Sequence, residues 1–133
     1  MTDAFLDTNV LLYLLSEDAA KADRAEALVA QGGVISIQVL AEFTAVARRK
    51  LAAPWADLRD ILQTLKMVLR VEPLTLQTHE LAVDLAERRR LNVYEAQILA
   101  AAALAGCPVL YSEDMQDGLK VDGLRIVNPF RAG

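Results

Sequence analysis

The chain of 133 residues has one cysteine, one histidine, 5% aromatics and no surplus of positive charge. A lone Cys107 rules out an internal disulfide and suits a reducing compartment. Set between Gly106 and Pro108, it reads as a small buried filler. The single His79 has no partner for a histidine-rich zinc site or a Ser-His-Asp site, and it reads as a surface residue near a helix start. With 14 basic and 18 acidic residues the formal net charge is −4, which excludes a non-specific nucleic-acid coat. It does not exclude an enzyme that grips a polyanion through a metal and a local basic patch. No stretch approaches the roughly 20 apolar residues of a membrane span, and Ile98 to Ala105 stops at Gly106. Met1-Thr2-Asp3 has no basic region of a secretory leader, so the expected location is the cytoplasm.

The apolar content is 54%, rich in alanine and leucine, which favours helices over an all-β sandwich. The length suits one domain, residues 1–133. Short β-type runs are expected at 4–6, 34–35, 71–74, 109–111 and 125–127. Helical patterns fill the gaps. Asp7-Thr8-Asn9 caps the first, and a second runs from Ala19 to Ala30 before Gly32-Gly33. Ser36 caps a third that ends in Arg48-Arg49-Lys50, and Pro54 opens a fourth to Leu69. Thr78 is expected to cap a fifth to Arg90, and Asn92 a sixth that ends at Gly106. The sixth is apolar nearly all round after Gln97 and should be central. Strands alternating with helices predict an α/β fold with a mainly parallel sheet covered on both faces. Reactive groups in such folds gather beyond the carboxyl ends of the strands.

Four acids stand beside apolar runs: Asp7 after Phe5-Leu6, Glu42 between Leu40-Ala41 and Phe43, Glu95 before Ala96-Gln97-Ile98, and Asp114 shortly after Val109-Leu110-Tyr111. A buried carboxylate needs a hydrogen-bond partner, a proton or a cation. Each has a plain structural role open to it. Asp7 can cap a helix, Glu95 fits a capping box with Asn92, Asp114 can cap a turn, and Glu42 can face solvent. Together they point to a shared cation. Oxygen ligands without histidine or thiolate favour Mg²⁺ or Mn²⁺ and phosphodiester chemistry. Glu113, Asp114 and Asp117 crowd one loop, which is expected to repel itself without a cation. Both basic clusters, Arg48-Arg49-Lys50 and Arg88-Arg89-Arg90, lie at predicted helix C-ends, where complementing the helix dipole is their plain role; as a contact for a phosphate backbone, Arg88-Arg89-Arg90, just before the Glu95 helix, is the better candidate.

Phe5-Leu6-Asp7-Thr8-Asn9-Val10-Leu11 resembles the opening of PIN-domain ribonucleases, above all VapC-type toxins of bacterial toxin–antitoxin pairs. Ile35 to Phe43 is similar to that family's second motif. Ser112-Glu113-Asp114-Met115-Gln116-Asp117-Gly118 and Ile126-Val127-Asn128-Pro129-Phe130 resemble its C-terminal signature. The resemblance spans essentially the whole chain and implies a three-layer α/β/α sandwich. It implies Asp7, Glu42 and Asp114 as acidic metal-site positions that hold Mg²⁺ or Mn²⁺, with Asp117 as an auxiliary acid and Asn9 and Ser112 as polar supports. Glu95 stands where the family usually has an aspartate, so it would enter the site with a longer side chain. The activity implied is hydrolysis of RNA phosphodiesters. The partners implied are a cognate antitoxin and a second copy of the chain, with Trp55 as a candidate interface anchor. Two rival readings are a haloacid-dehalogenase-type phosphatase, with Asp7 as nucleophile and Lys120 as its lysine, and a PIN-like module that binds RNA or protein without cutting.

Overall fold

A computed structural model describes residues 3–131. The strands are β1 (Phe5–Leu6), β2 (Val34–Ser36), β3 (Arg70–Glu72), β4 (Val109–Tyr111), β5 (Lys120–Val121) and β6 (Leu124–Val127). The helices are α1 (Thr8–Leu12), α2 (Ala19–Ala30), α3 (Ile37–Leu51), α4 (Trp55–Val68), α5 (Leu76–Arg89) and α6 (Val93–Leu104). The sheet runs β3-β2-β1-β4-β6-β5, parallel except for β5 against β6.

That order positions the site. From β1 the chain steps to β2 and β3 in one direction, then crosses back so that β4 pairs on the free side of β1. Parallel crossovers are right-handed. The helices before and after the reversal therefore lie on opposite faces, giving the expected three layers. The reversal between β1 and β4 is a topological switch point, where a crevice opens beyond the carboxyl ends of the strands. Phe5 pairs with Val34 and Leu110, and Leu6 with Tyr111. Phe5, Leu6, Val34, Ile35, Leu110 and Ile126 are essentially inaccessible, as a sheet covered on both faces requires.

α3 buries Val39, Leu40, Phe43 and Ala47 on one stripe, and Ser36 caps it by accepting from Val39 N at 3.4 Å. α6 buries Ala96 and Ile98 to Ala102, as its nearly uniform apolarity predicts. Cys107 is a buried free thiol, pushed up to about 11 by burial, and His79 is exposed. Among the described residues, no helix is long and apolar enough to cross a membrane.

Two local expectations are corrected, on the third strand and the fifth helix, and two further features are added. The first helix is split: α1 ends at Leu12, and Tyr13–Leu15 forms a 3-10 turn. The third strand ends at Glu72, because Pro73 has no N–H for a ladder. The fifth helix is capped by Thr75, not Thr78: Thr75 Oγ1 accepts from Thr78 N at 3.2 Å and Thr78 Oγ1 accepts from Thr75 N at 3.2 Å. Finally, β5 makes a two-residue hairpin with β6 through Asp122-Gly123, both at positive φ (48° and 85°). Asp-Gly is a strong signal for such a turn.

Candidate active site

Asp7 follows β1 directly and extends its ladder, since its N–H donates to Tyr111 O at 3.0 Å. Ser112 follows β4 and extends the next ladder by donating from N to Val127 O at 3.0 Å. The two residues thus face each other across the switch point. Asp7 is 7% exposed. Its Oδ1 accepts from Thr8 N at 2.7 Å, so it also caps α1. Its Oδ2 accepts from Ser112 Oγ at 2.8 Å and Asn9 Nδ2 at 3.2 Å. The capping role and the buried-site role are carried by one carboxylate.

Asp7, Glu42, Glu95 and Asp114 line one cleft of about 590 Å³. Asn9 Nδ2 also lies 3.3 Å from Asp114 Oδ2, so the carboxylates of Asp7 and Asp114 converge on one donor. Asn9 Oδ1 accepts from Glu113 N at 3.0 Å and ties the loop after β4 to α1. Glu42 comes from the second turn of α3. Its Oε1 accepts from Thr8 Oγ1 at 2.7 Å and its Oε2 from Gln38 Nε2 at 3.2 Å. Glu95 is half-buried in the first turn of α6. Asn92 Oδ1 accepts from Glu95 N at 2.8 Å, and Asn92 Nδ2 donates to Glu95 Oε1 at 2.5 Å. This reciprocal pair is a side-chain variant of the capping box.

Burial, and to a lesser degree the nearby charges of Glu42 and Asp114, raise Asp7 to about 6 against the lowering effect of the hydrogen bonds from Ser112 and Thr8. A carboxylate held out of water among like charges is a site that gains from a cation. All the donors are hard oxygens, which fits Mg²⁺ or Mn²⁺. Among the described residues, no three His, Cys, Asp or Glu side chains are grouped closely enough to hold a metal ion between them. The two acids that converge, on the Asn9 amide, are Asp7 and Asp114.

Two of the three acids in the loop after β4 are paired within the chain. Glu113 accepts from Tyr13 Oη and from Lys21 Nζ at 3.1 Å. Burial pushes Glu113 up, but these two hydrogen bonds more than offset it and hold its carboxyl below the ordinary value. Lys21 lies 4.6 Å from the Tyr13 ring centroid, and Tyr13 packs on Phe130 at 4.5 Å. Asp117 accepts from Asn128 N at 2.8 Å and pairs with Arg131 at 3.0 Å. It fixes the segment after β6 and does not line the cleft. Of the three, only Asp114 does.

The basic residues in the cleft are Arg49 and Lys50, from the last turn of α3. Arg88 instead pairs with Asp84 at 3.0 Å and Asp122 at 3.3 Å, outside the cleft lining. Of the two basic clusters, the one at the end of α3 borders the cleft and the one at the end of α5 does not. The physical reason is that α3 passes over the switch point, whereas the end of α5 turns toward the β5–β6 hairpin. Lys120 sits on edge strand β5 and is not a cleft residue.

Sequence reasoning missed Thr8 and Gln38, whose side chains bond the Glu42 carboxylate, and Gln97, which bonds Gln38. Thr8 was legible as the neighbour of Asp7, and Gln38 as the residue one helical turn before Glu42. Gln97 carried no such signal, because its partner Gln38 is 59 residues away.

The family model described as PIN domain matches residues 4–119. Among curated proteins none matches the chain. Among solved structures, a toxin–antitoxin complex from Klebsiella pneumoniae is 23% identical with a TM-score of 0.74, covering 97% of this chain and 99% of that one. VapC20 of Mycobacterium tuberculosis, a sarcin–ricin loop cleaving toxin, is 22% identical with a TM-score of 0.68, covering 84% and 89%. DNA-bound VapBC from Salmonella typhimurium is 20% identical with a TM-score of 0.69, covering 95% and 97%. At these identities the structures share the fold, and the family match extends over most of the sequence. The chain belongs to the PIN domain family.

Proposed function

We propose that the chain, acting as one domain over residues 1–133, is a Mg²⁺- or Mn²⁺-dependent ribonuclease and the toxin of a type II toxin–antitoxin pair. The observation that carries this reading is the Asp7 carboxylate, buried at the switch point of a PIN-domain fold with Glu42 and Asp114 close by. Similarity to the VapC20 toxin and to toxin–antitoxin complexes supports the choice of RNA and of an antitoxin partner.

Asp7 and Asp114 would hold the cation directly. When bound, it would neutralise the clustered acids and make a water easier to ionise. Ser112 and Asn9 keep the Asp7 carboxylate oriented, and Asn9 keeps Asp114 beside it. Glu42 and Glu95 border the same cleft and accept the proton of the attacking water, directly or through a second water. Arg49 and Lys50 hold the phosphate backbone at the rim, so that the water attacks phosphorus in line with the leaving oxygen. Asp117 acts outside this set, as a brace for the C-terminal segment.

An antitoxin needs apolar surface as well as access to the acids. A groove lined by Leu14, Leu15, Val29, Ile61 and Leu65 runs between α2 and α4 and supports such a partner. A basic side chain from the antitoxin's C-terminal arm would then close the acid cleft. A homodimer is supported by exposed Leu76 and Val83, seven residues apart on α5, and by Trp55, 52% exposed and stacked under Arg48 at 4.6 Å. The lone buried thiol suits the cytoplasm.

The test is cleavage of a panel of structured RNAs by the purified, antitoxin-free protein with Mg²⁺, Mn²⁺ or EDTA, beside Asp7→Asn. Cleavage that needs the metal and disappears in the variant is the expected result. Folded protein that binds RNA without metal and never cuts it would overturn the nuclease in favour of a binding module.

A further inference from the structure

Gln38 is an amide 7% exposed with every hydrogen-bonding group engaged. Its Nε2 donates to Glu42 Oε2 at 3.2 Å and to the Tyr94 carbonyl at 3.1 Å. Its Oε1 accepts from Gln97 Nε2 at 2.6 Å. Two protons and one carbonyl are the principal groups a glutamine offers, and each has one partner here. Gln38 lies in the first turn of α3, four residues before Glu42 and on the same face. Tyr94 and Gln97 lie on α6, flanking Glu95 closely in sequence. One side chain therefore joins the helix that bears Glu42 to the turn that bears Glu95.

An apolar pair would bridge α3 and α6 without the cost of desolvating two amides. What the amides add is direction. A half-turn of Gln38 would aim its carbonyl at both the Glu42 carboxylate and the Tyr94 carbonyl, acceptor against acceptor, so these two fix which end of Gln38 meets Glu42. Gln97 adds the donor that satisfies the remaining carbonyl and reinforces that orientation. Thr8 Oγ1 holds the other oxygen of Glu42 at 2.7 Å. Each carboxylate oxygen then has one protein donor and keeps lone-pair capacity toward the cleft.

We infer that Gln38 and Gln97 form a positioning couple that orients the Glu42 carboxylate and fixes the first turn of α6, with Glu95, against α3. The inference rests on the nuclease reading above. Neither glutamine touches the reacting atoms; both act through Glu42 and through the backbone beside Glu95.

The test uses the full chain with Gln38→Met and Gln97→Leu, each alone and each combined with Glu42→Gln. Mn²⁺ affinity is read from the free Mn²⁺ signal in electron paramagnetic resonance, alongside kcat and KM on a cleaved RNA and the thermal midpoint. Partners of this kind typically change metal affinity or activity by about 10-fold or more. The expected result is a weakening of Mn²⁺ binding by roughly 10-fold for Gln38→Met and a few-fold for Gln97→Leu. kcat should fall in parallel while KM stays close to that of the parent chain, and the effect on Mn²⁺ affinity should shrink once Glu42 is already Gln, leaving the part carried through the turn that bears Glu95. If Gln38→Met does not fold, Gln97→Leu, at a half-buried position, decides alone. Parent-like Mn²⁺ affinity and kcat in variants of a chain that itself binds Mn²⁺ and cuts would overturn the couple and leave the nuclease standing. An undiminished effect in the Glu42→Gln background would also overturn it, because the route would not run through Glu42. A parent chain that neither binds Mn²⁺ nor cuts would remove the nuclease reading and this inference with it.

Discussion

Replacing Asp7 by Asn should make the metal-free protein more stable at neutral pH while removing its activity. Asp7 is raised from 3.8 to about 6 in the folded chain, first by burial and then by Glu42 and Asp114, against the hydrogen bonds from Ser112 and Thr8. A carboxyl raised on folding adds stability that is fully present below its unfolded value and is lost as pH climbs through the folded value. The shift of about 2 pH units corresponds to roughly 3 kcal/mol across the window from about pH 4 to about pH 7. Asn carries no charge and avoids that loss. Its amide nitrogen would replace one acceptor, and Ser112 can turn its hydroxyl to accept, but the Asn9 amide is left with one partner fewer, at a cost of about 1 kcal/mol. The net gain at pH 8 is then about 1–2 kcal/mol, or roughly 5 °C in Tm for a chain of this size. The assay is urea unfolding of both proteins in EDTA from pH 4 to pH 8. The stability difference, Asn minus Asp, should widen by roughly 3 kcal/mol over that range. Parallel curves, or a variant less stable than the parent at pH 8, would refute the account of Asp7 as a carboxylate held against its solvation.

Arg49→Ala combined with Lys50→Ala should weaken RNA binding and reduce the slope of log affinity against log salt by about 0.7 for each single-strand phosphate that is no longer neutralised. Filter binding at several salt concentrations checks this, and an unchanged slope would remove both residues from the RNA path. Gly33→Ala should destabilise the chain by about 2 kcal/mol or more, because the added Cβ would stand 2.8 Å from the Ala4 carbonyl oxygen beside the β1–β2 ladder. Thermal unfolding reads the destabilisation, and a Tm equal to that of the parent would mean that the β1–β2 approach is looser than described.

The sequence by itself determined the elements and the acids. α2 runs over the predicted Ala19–Ala30, because Gly32-Gly33 admits no further turn. The buried stripe of α3 and the central place of α6 follow from the spacing of their apolar residues. Asp7 was legible as an acid directly after a strand, and Asp114 as one shortly after a later strand, since strand ends are where such sheets open. What the sequence left undecided was partnership. Whether an acid faces the cleft or a neighbour depends on approaches between residues far apart in the chain. Glu113 turns to Tyr13 and Lys21, and Asp117 to Asn128 and Arg131, so of three acids in one loop only Asp114 joins Asp7. Likewise, two basic clusters of similar appearance were sorted only by where α3 and α5 end: Arg49 and Lys50 over the switch point, Arg88 against Asp84 and Asp122. The Gln38–Gln97 hydrogen bond spans 59 residues and leaves no local pattern. Periodicity records which face of an element is buried; only the tertiary approach of α3 to the first turn of α6, bridged by Gln38, and the pairing of β1 with β4 decide which polar groups meet there.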